Sequence, residues 1–156
     1  MLSKTLVSIT QPEFLSAVPA HQHTGSHSNG NVELWVVDDD VSMCEFLGSF
    51  LEERGYKAVT IASAEEAVKR YQTARPAAMI LDVMMPGPMD GLEALAAFKK
   101  IDHTVPVIVV SGQGRTATVV QAMKLGAADF VSKPFDVSEV LTRVRNMLEV
   151  RLLHVE

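Results

Sequence analysis

The chain has 156 residues, 47% of them hydrophobic and 21% charged, which is enough to bury one sizeable core but short for two. Its 14 Lys and Arg residues against 19 Asp and Glu residues give a formal net charge of −5, which argues against a broad nucleic-acid-binding or anionic-membrane surface. No run approaches the roughly 18 apolar residues that cross a bilayer, so we expect a soluble, one-domain protein that contacts neither membrane nor nucleic acid directly. The single cysteine, Cys44, allows no disulfide framework, so a reducing, cytoplasmic compartment is expected.

Composition shifts at Asn31, where a segment rich in Ser, Thr, His, Gln, Pro and Gly gives way to dense, periodic hydrophobic residues. Residues 1–31 are therefore predicted to be a disordered N-terminal extension, and residues 32–148 a folded domain. His21, His23 and His27 lie in the extension. We predict no metal site there, because nothing would hold the three imidazoles in a fixed geometry.

From Val32 onward the pattern alternates strand with helix five times. A continuous apolar run at residues 34–37 ends abruptly at Asp38 and predicts a buried strand. Ser42 and Glu45 have the spacing of a capping box, and Gly55 predicts the end of the helix. The apolar face of this helix is predicted to consist of Met43, Phe46, Leu47, Phe50 and Leu51.

The same signals repeat along the rest of the chain. Apolar runs predict strands at residues 58–61, 79–81, 107–110 and 129–132. The second helix is predicted to begin at Ser63, the third and fourth to cover about residues 92–100 and 116–125, and the fifth to begin near Val137. Buried strands separated by helices predict an α/β fold, a doubly wound parallel sheet with helices on both faces.

Polar residues directly follow four of the predicted strands. They are Asp38 and Asp39 after the first strand, Asp82 after the third, Ser111 after the fourth and Lys133 after the fifth. Because the carboxyl ends of parallel strands meet at one edge, where ligands bind, we expect these side chains to converge. Three carboxylates close together require a cation, and Mg²⁺ with oxygen ligands fits best. Each residue alone could instead be structural, with Asp39 or Asp40 as a helix cap.

Five short motifs surround these residues. They read Val36-Val37-Asp38-Asp39, Ile80-Leu81-Asp82-Val83-Met84-Met85-Pro86, Met89-Asp90-Gly91, Val110-Ser111-Gly112 and Lys133-Pro134-Phe135. Together they resemble the receiver domains of two-component response regulators, over about residues 32–148. The resemblance implies a flavodoxin-like, five-stranded parallel sheet in the order 2-1-3-4-5. Residues 112–135 further resemble the receivers of sigma-54-dependent activators.

The resemblance also implies a role for each acidic residue. Asp82 would accept a phosphoryl group from a sensor histidine kinase or a phosphotransfer protein. Mg²⁺ would be held by Asp38, Asp39, Asp82 and the backbone carbonyl of Met84, with Asp38 acting through a metal-bound water. The protein would thus be a self-catalysed phosphotransfer acceptor rather than a turnover enzyme.

Three further residues are implied to respond to the phosphoryl group. Lys133 would neutralise its oxygens, and Ser111 would hydrogen-bond one of them. Drawing Ser111 toward the phosphoryl group would vacate space into which the Phe130 ring turns, and this would remodel the surface of helix four, strand five and helix five. Autodephosphorylation is expected to be slow, because Met84 cannot orient a water for hydrolysis and Gln113 cannot act as a base.

Some features depart from the family pattern or extend it. The loop at residues 86–91 is one residue longer than usual, and Ser111 replaces the commoner threonine while keeping the hydroxyl. The helical apolar spacing continues past the usual end of a receiver. Residues 149–156 are therefore predicted to extend helix five, either as a linker to an effector domain missing from this chain, with a possible homodimer, or as an overlong helix that folds on its own domain.

Two other interpretations of the acidic residues stay open from the sequence. The run Asp38-Asp39-Asp40-Val41 fits the signature of haloacid-dehalogenase-like hydrolases, although it leaves Asp82 unexplained and requires a further acidic pair after Lys133. A receiver-like interaction module that is never phosphorylated would usually lack part of the acidic set, all of which is present here.

Overall fold

The computed structural model describes residues 32–112 and 115–155, and the extension predicted at residues 1–31 lies outside them. In this part of the chain five strands alternate with five helices, as predicted. In chain order the elements are β1 (Glu33–Val37), α1 (Val41–Glu53), β2 (Lys57–Ile61), α2 (Ala64–Tyr71), β3 (Ala78–Asp82), α3 (Gly91–Ile101), β4 (Val107–Ser111), α4 (Thr116–Lys124), β5 (Asp129–Ser132) and α5 (Val137–Val155). None of these helices has the length and hydrophobicity of a transmembrane span.

The strands form one parallel sheet in the order β2-β1-β3-β4-β5, which confirms the predicted doubly wound, flavodoxin-like fold. Every residue of β3 and of β4 is buried. Central strands of this kind are apolar along their length because helices cover both faces of the sheet. The last residues of the two strands, Asp82 and Ser111, are polar and mark the carboxyl edge of the sheet.

Successive side chains of a strand point to opposite faces, so the core has two layers. On one face Trp35 of β1 joins a cluster with residues of α2, α3 and α4. The Tyr71 ring centroid lies 6.0 Å from that of Trp35 and 4.8 Å from that of Phe98. On the other face Leu34 joins a cluster with residues of α1 and α5, among them Leu47. Because both faces are covered, the polar residues can be reached only at the strand ends.

The N-terminal caps of α1 and α2 agree only in part with the prediction. The N-cap of α1 is Asp40, whose carboxylate accepts a hydrogen bond from the Met43 N–H at 3.1 Å. The predicted capping box of Ser42 and Glu45 is therefore wrong, because the helix already begins before Ser42. Ser63 caps α2 as predicted. The start of α1 is thus tied to the acidic run that follows β1.

The buried face of α1 also differs from the prediction at one position. The buried residues of the helix are Cys44, Leu47, Gly48 and Leu51. Phe46 is 60% exposed, so its predicted place on the apolar face is wrong. Consecutive helical residues point about 100° apart, and Phe46 therefore faces solvent when Leu47 faces the sheet.

The start of α3 packs directly against the end of β3. A Cβ atom on Gly91 would lie 2.3 Å from the Cα of Val83 and 2.5 Å from the carbonyl oxygen of Asp82, so only glycine fits. Asp90 is the N-cap of α3 and forms a reciprocal capping box with Glu93. These contacts fix the backbone at the position where β3 presents Asp82.

Candidate functional site

The strand ends bring the predicted polar residues to one edge of the sheet, around an open cavity of about 440 Å³. Its lining residues are Asp38, Asp39, Asp40, Asp82, Met84, Gly112, Arg115 and Lys133. Ser111 is fully buried at the end of β4, and Phe130 lies on β5. The side chains predicted to follow β1, β3 and β5 therefore converge on this cavity, whereas Ser111 at the end of β4 does not line it.

Three of the carboxylates lie close together. Asp38, Asp39 and Asp82 each offer one oxygen, and these oxygens lie within 4.8 Å of one another. Asp38 and Asp82 are each 5% exposed, whereas Asp39 is exposed. Backbone N–H groups orient the two buried carboxylates: the Asp40 N–H donates to Asp38 Oδ1 at 2.9 Å, and the Met84 N–H donates to Asp82 Oδ1 at 2.8 Å.

Lys133 joins the two buried carboxylates. Its ammonium nitrogen lies 3.1 Å from Asp82 Oδ2 and 3.4 Å from Asp38 Oδ2. Burial alone would lower the pKa of Lys133, but hydrogen bonds and charge from Asp82 and Asp38 outweigh it, and the pKa is raised. Burial raises the pKa of Asp38 and the Asp82 charge adds to this, against the opposing effects of the Asp40 N–H and Lys133. The site therefore holds negative charge in excess of its one bound ammonium group.

The backbone around these residues continues the hydrogen bonding of the sheet. The Asp38 N–H donates to the Ile61 carbonyl at 3.1 Å, and the Val83 N–H donates to the Val110 carbonyl at 3.1 Å. The Lys133 N–H donates to the Ser111 carbonyl at 2.7 Å. The backbone at the ends of β1, β3 and β5 is therefore held by a neighbouring strand.

Ser111 and Phe130 do not line the acidic cavity, and the Ser111 hydroxyl makes no hydrogen bond with the carboxylates there. The Ser111 hydroxyl donates to the Gly112 carbonyl at 3.2 Å. Phe130 is 40% exposed and lines a second cavity of about 140 Å³. The other lining residues of this cavity are Gly112, Arg115, Thr116, Val119 and Ser132. Gln113, for which the sequence predicted a part in slow dephosphorylation, lies outside the described residues.

A family model of the response regulator receiver domain matches residues 34–145. The chain belongs to the response regulator receiver family. The nitrogen assimilation regulatory protein NtrX of Azorhizobium caulinodans is 34% identical over 125 residues, which make up 80% of this chain and 28% of NtrX. The alkaline phosphatase synthesis transcriptional regulatory protein PhoP of Bacillus subtilis is also 34% identical, over 76% of this chain and 49% of PhoP.

A crystal structure of the receiver domain of NtrX from Brucella abortus superposes with a TM-score of 0.71 at 32% identity and covers 74% of this chain and 98% of that chain. The chain matches only part of its longer relatives, 28% of Azorhizobium NtrX and 49% of Bacillus PhoP. The predicted family is confirmed, as is the likeness to receivers of sigma-54-dependent activators, because NtrX is a regulator of that type. PhoP matches at the same identity, so the comparison does not select one output.

The hydrolase interpretation of the acidic run is wrong. The family model assigns residues 34–145 to a receiver domain of the kind found in two-component systems. Within the described residues only α5 follows Lys133, so there is no strand to carry the further acidic pair that a hydrolase of that type requires.

Two residues that support the receiver site, Cys44 and Glu65, were not predicted from the sequence to do so. The Cys44 thiol donates to the Asp38 carbonyl at 3.1 Å, and burial followed by the Asp38 charge raises the pKa of the thiol to about 11. The Met89 N–H donates to the Glu65 carboxylate at 3.1 Å, which ties the long loop after β3 to α2. No local pattern marks Cys44 or Glu65, because both contacts join residues that are distant in space until the chain folds.

Proposed function

We propose that Asp82 of this receiver accepts a phosphoryl group from a histidine of a sensor kinase or phosphotransfer protein. In the transfer one carboxylate oxygen of Asp82 bonds to phosphorus while the bond from phosphorus to the donor nitrogen breaks, and the electron pair of that bond stays on the imidazole. The observation that carries the proposal is a carboxylate at a strand end, 5% exposed, oriented by the Met84 N–H and 3.1 Å from the Lys133 ammonium.

The same site has the donor atoms that Mg²⁺ requires. Asp38, Asp39 and Asp82 provide three carboxylates whose oxygens lie within 4.8 Å of one another, and hard divalent cations prefer oxygen ligands. We propose that these residues and the Met84 carbonyl hold the ion, with Asp38 acting through a bound water. Mg²⁺ supplies positive charge that stabilises the phosphoryl oxygens during transfer.

Lys133 and Ser111 are proposed to bind the transferred group. The Lys133 ammonium already contacts the Asp82 oxygens and needs only a small shift to hydrogen-bond a phosphoryl oxygen. The Ser111 hydroxyl donates to its neighbour's carbonyl at 3.2 Å, which is longer than the roughly 2.5–3.0 Å of an ordinary O–H···O hydrogen bond. A phosphoryl oxygen is a stronger, charged acceptor, so the hydroxyl is expected to turn toward it.

This turn is proposed to start the switch at Phe130. Ser111 and Ser132 are register partners, and Phe130 lies two residues before Ser132 on β5. The Phe130 ring lines a cavity of about 140 Å³ that extends toward Gly112, which gives the ring space to move inward. Val120 and Met123, three residues apart on α4, are 47% and 41% exposed, and we propose that this apolar surface changes with the ring.

The proposed switch implies a macromolecular output partner. The apolar surface of Phe130, Val120 and Met123 is suited to a second copy of the chain or to an effector domain. The relatives extend well beyond a receiver, and α5 continues to Val155, past the predicted domain end at residue 148. We propose that residues 32–148 are the receiver and that residues 149–156 lead toward an effector domain.

We further propose that the chain is not a turnover enzyme and loses its phosphoryl group slowly. Hydrolysis requires a water aligned with the acyl phosphate opposite Asp82. Met84 lines the cavity and is 44% exposed, so an apolar side chain occupies part of the approach and offers no group to orient a water. The phosphorylated form should therefore persist long enough for a slow output.

The proposal is tested by incubating the purified chain with phosphoramidate and Mg²⁺ and measuring intact mass. The wild type should gain one phosphoryl group, Asp82→Asn should gain none, and Asp136→Asn, a surface control whose amide can keep its local hydrogen bond, should behave as wild type. Asp39→Ala should lose both Mg²⁺ binding and labelling. A wild type that stays unlabelled would favour the module that is never phosphorylated, and full labelling of Asp82→Asn would move the acceptor elsewhere.

A further inference from the structure

Arg115 is a second cation at the acidic cavity. The cavity is lined by four carboxylates and by two cations, Lys133 and Arg115. Lys133 is engaged with Asp38 and Asp82. The Arg115 side chain is exposed, and its guanidinium makes no hydrogen bond or ion pair with the described residues. Its five N–H donors are therefore available to a new acceptor in the cavity.

Arg115 also lies where the two cavities meet. It lines the acidic cavity together with Asp82, and it lines the second cavity together with Phe130. Gly112 is the other residue that the two cavities share. Arg115 is the N-cap residue of α4, and no side chain there bonds the first turn of the helix. A movement of the Arg115 backbone would therefore also move Thr116, the first residue of α4.

A phosphoryl group on Asp82 is the acceptor that fits these donors. The acyl phosphate carries roughly two negative charges where the Asp82 carboxylate carried one, in a site that already has more carboxylates than cations. A guanidinium group presents a planar fork that can hydrogen-bond two phosphate oxygens at once, and such charge-assisted bonds are among the stronger ones in proteins. We propose that Arg115 binds the phosphoryl group on Asp82 from the α4 side and draws the start of α4 toward the end of β3.

This inference rests on the proposed function of Asp82 and adds a second route from the phosphoryl group to the switch surface. Ser111 and Lys133 act on β4 and β5, whereas Arg115 acts on the first turn of α4. Because Phe130 and Arg115 line one cavity, a displaced Arg115 also changes the space available to the Phe130 ring. The route through Ser111 and Lys133 and the route through Arg115 would then both change the surface of α4 and β5.

The test compares Arg115→Ala and Arg115→Lys with Lys124→Ala, which removes an exposed cation from the other end of the same helix. Each variant is titrated with beryllofluoride, a phosphoryl mimic, in the presence of Mg²⁺, and binding is followed by the amide shifts of Thr116 and Phe130. Arg115→Ala should raise the half-saturating concentration by roughly threefold to tenfold and reduce the Thr116 shift. Arg115→Lys should recover part of both, and Lys124→Ala should match the wild type.

Two further readouts separate binding from structure. The urea midpoints of the Arg115 and Lys124 variants should equal that of the wild type, and the difference between Arg115→Ala and wild type should shrink as salt rises, because an exposed charge is screened over about 8 Å at physiological ionic strength. If Arg115→Ala and Lys124→Ala had equal half-saturating beryllofluoride concentrations and equal Thr116 shifts, the proposed role of Arg115 would be wrong, and the proposed function of Asp82 would be unaffected. Failure of the wild type to bind beryllofluoride and to take label from phosphoramidate would overturn the proposed function as well.

Discussion

Replacement of Gly91 by alanine should disturb both the stability of the fold and the geometry at Asp82. The added Cβ would lie 2.3 Å from the Val83 Cα, 2.5 Å from the Asp82 carbonyl oxygen and 3.0 Å from the Val83 carbonyl carbon. Carbon atoms in contact are normally about 3.5–4.0 Å apart. All three obstacles are backbone atoms of the strand end, so no side chain can turn away and the start of α3 must move outward.

The size of the effect follows from two opposing contributions. Overpacking in a tightly packed position costs about 1–3 kcal/mol. The better helix propensity of alanine offsets at most about 1 kcal/mol of this. Because the contacts are so short, the overpacking cost should lie in the upper part of its range, and we expect Gly91→Ala to lower the free energy of unfolding by about 1–3 kcal/mol.

Gly48→Ala is the matched control for Gly91→Ala. A Cβ on Gly48 would lie 3.4 Å from Thr60 Cγ2 and 3.8 Å from Ala58 Cβ, which are side-chain contacts of ordinary length. Gly48 lies inside α1, where alanine is preferred over glycine by about 0.5–1 kcal/mol. The same chemical change should therefore stabilise the protein slightly at this position.

Urea unfolding measures the stability, and the rate of labelling by phosphoramidate well below the transition measures the site. Gly91→Ala should unfold at lower urea and take label more slowly, because displacement of the Asp82 and Val83 backbone disturbs the bond from the Met84 N–H to the Asp82 carboxylate. Gly48→Ala should show neither loss. If Gly91→Ala unfolded at the wild-type midpoint and took label at the wild-type rate, the close approach of α3 to β3 would not constrain the site.

Two more predictions concern the response to phosphorylation and its duration. Lys133→Ala should fold and take label, but the amide shifts that phosphorylation causes at Phe130 should be much smaller than in the wild type, because Lys133 links the carboxylates to β5; unchanged shifts would refute this coupling. Met84→Asn should lose its phosphoryl group about tenfold faster, a barrier change of only about 1.4 kcal/mol, because an amide can orient water. Met123→Asn, the same change at a similarly exposed methionine on α4, should keep the wild-type lifetime of the phosphoryl group. Equal lifetimes in the wild type, Met84→Asn and Met123→Asn would show that water access at Met84 does not limit hydrolysis.

The strands could be predicted because the relevant signals are local, whereas their order in the sheet was predicted only from the family resemblance. The apolar runs at residues 34–37 and 107–110 are as long as buried strands usually are, and each ends at a polar residue. The observed strands differ by one residue at an end, since β1 begins at Glu33 and β4 includes Ser111. Once the sheet is parallel, the residues that follow its strands must share one edge, so the composition of the site also follows from the sequence.

The details of contact could not be predicted in the same way. The choice of Asp40 over Ser42 as the cap of α1 depends on where the chain leaves β1, which sequence spacing does not state. That start then determines which residues face the sheet and leaves Phe46 outside. The support of Asp38 by the Cys44 thiol and the proximity of Arg115 to Asp82 likewise depend on three-dimensional packing between separate elements.

Some residues around Asp82 are already engaged in several hydrogen bonds or ion pairs, and others are not. This difference explains why added charge on Asp82 would act mainly on the side of β4, α4 and β5. Asp38 and Asp82 are held by backbone N–H groups and by the Lys133 ammonium, so β1 and β3 have little freedom to respond. On the side of β4, α4 and β5, the Ser111 hydroxyl is bonded only to the neighbouring Gly112 carbonyl, and the Arg115 guanidinium has no hydrogen-bond or ion-pair partner among the described residues. New negative charge attracts the donors that are least engaged, because breaking an existing hydrogen bond costs free energy that a free donor does not lose. A phosphoryl group on Asp82 should therefore move α4 and β5 while the opposite half of the sheet stays in place.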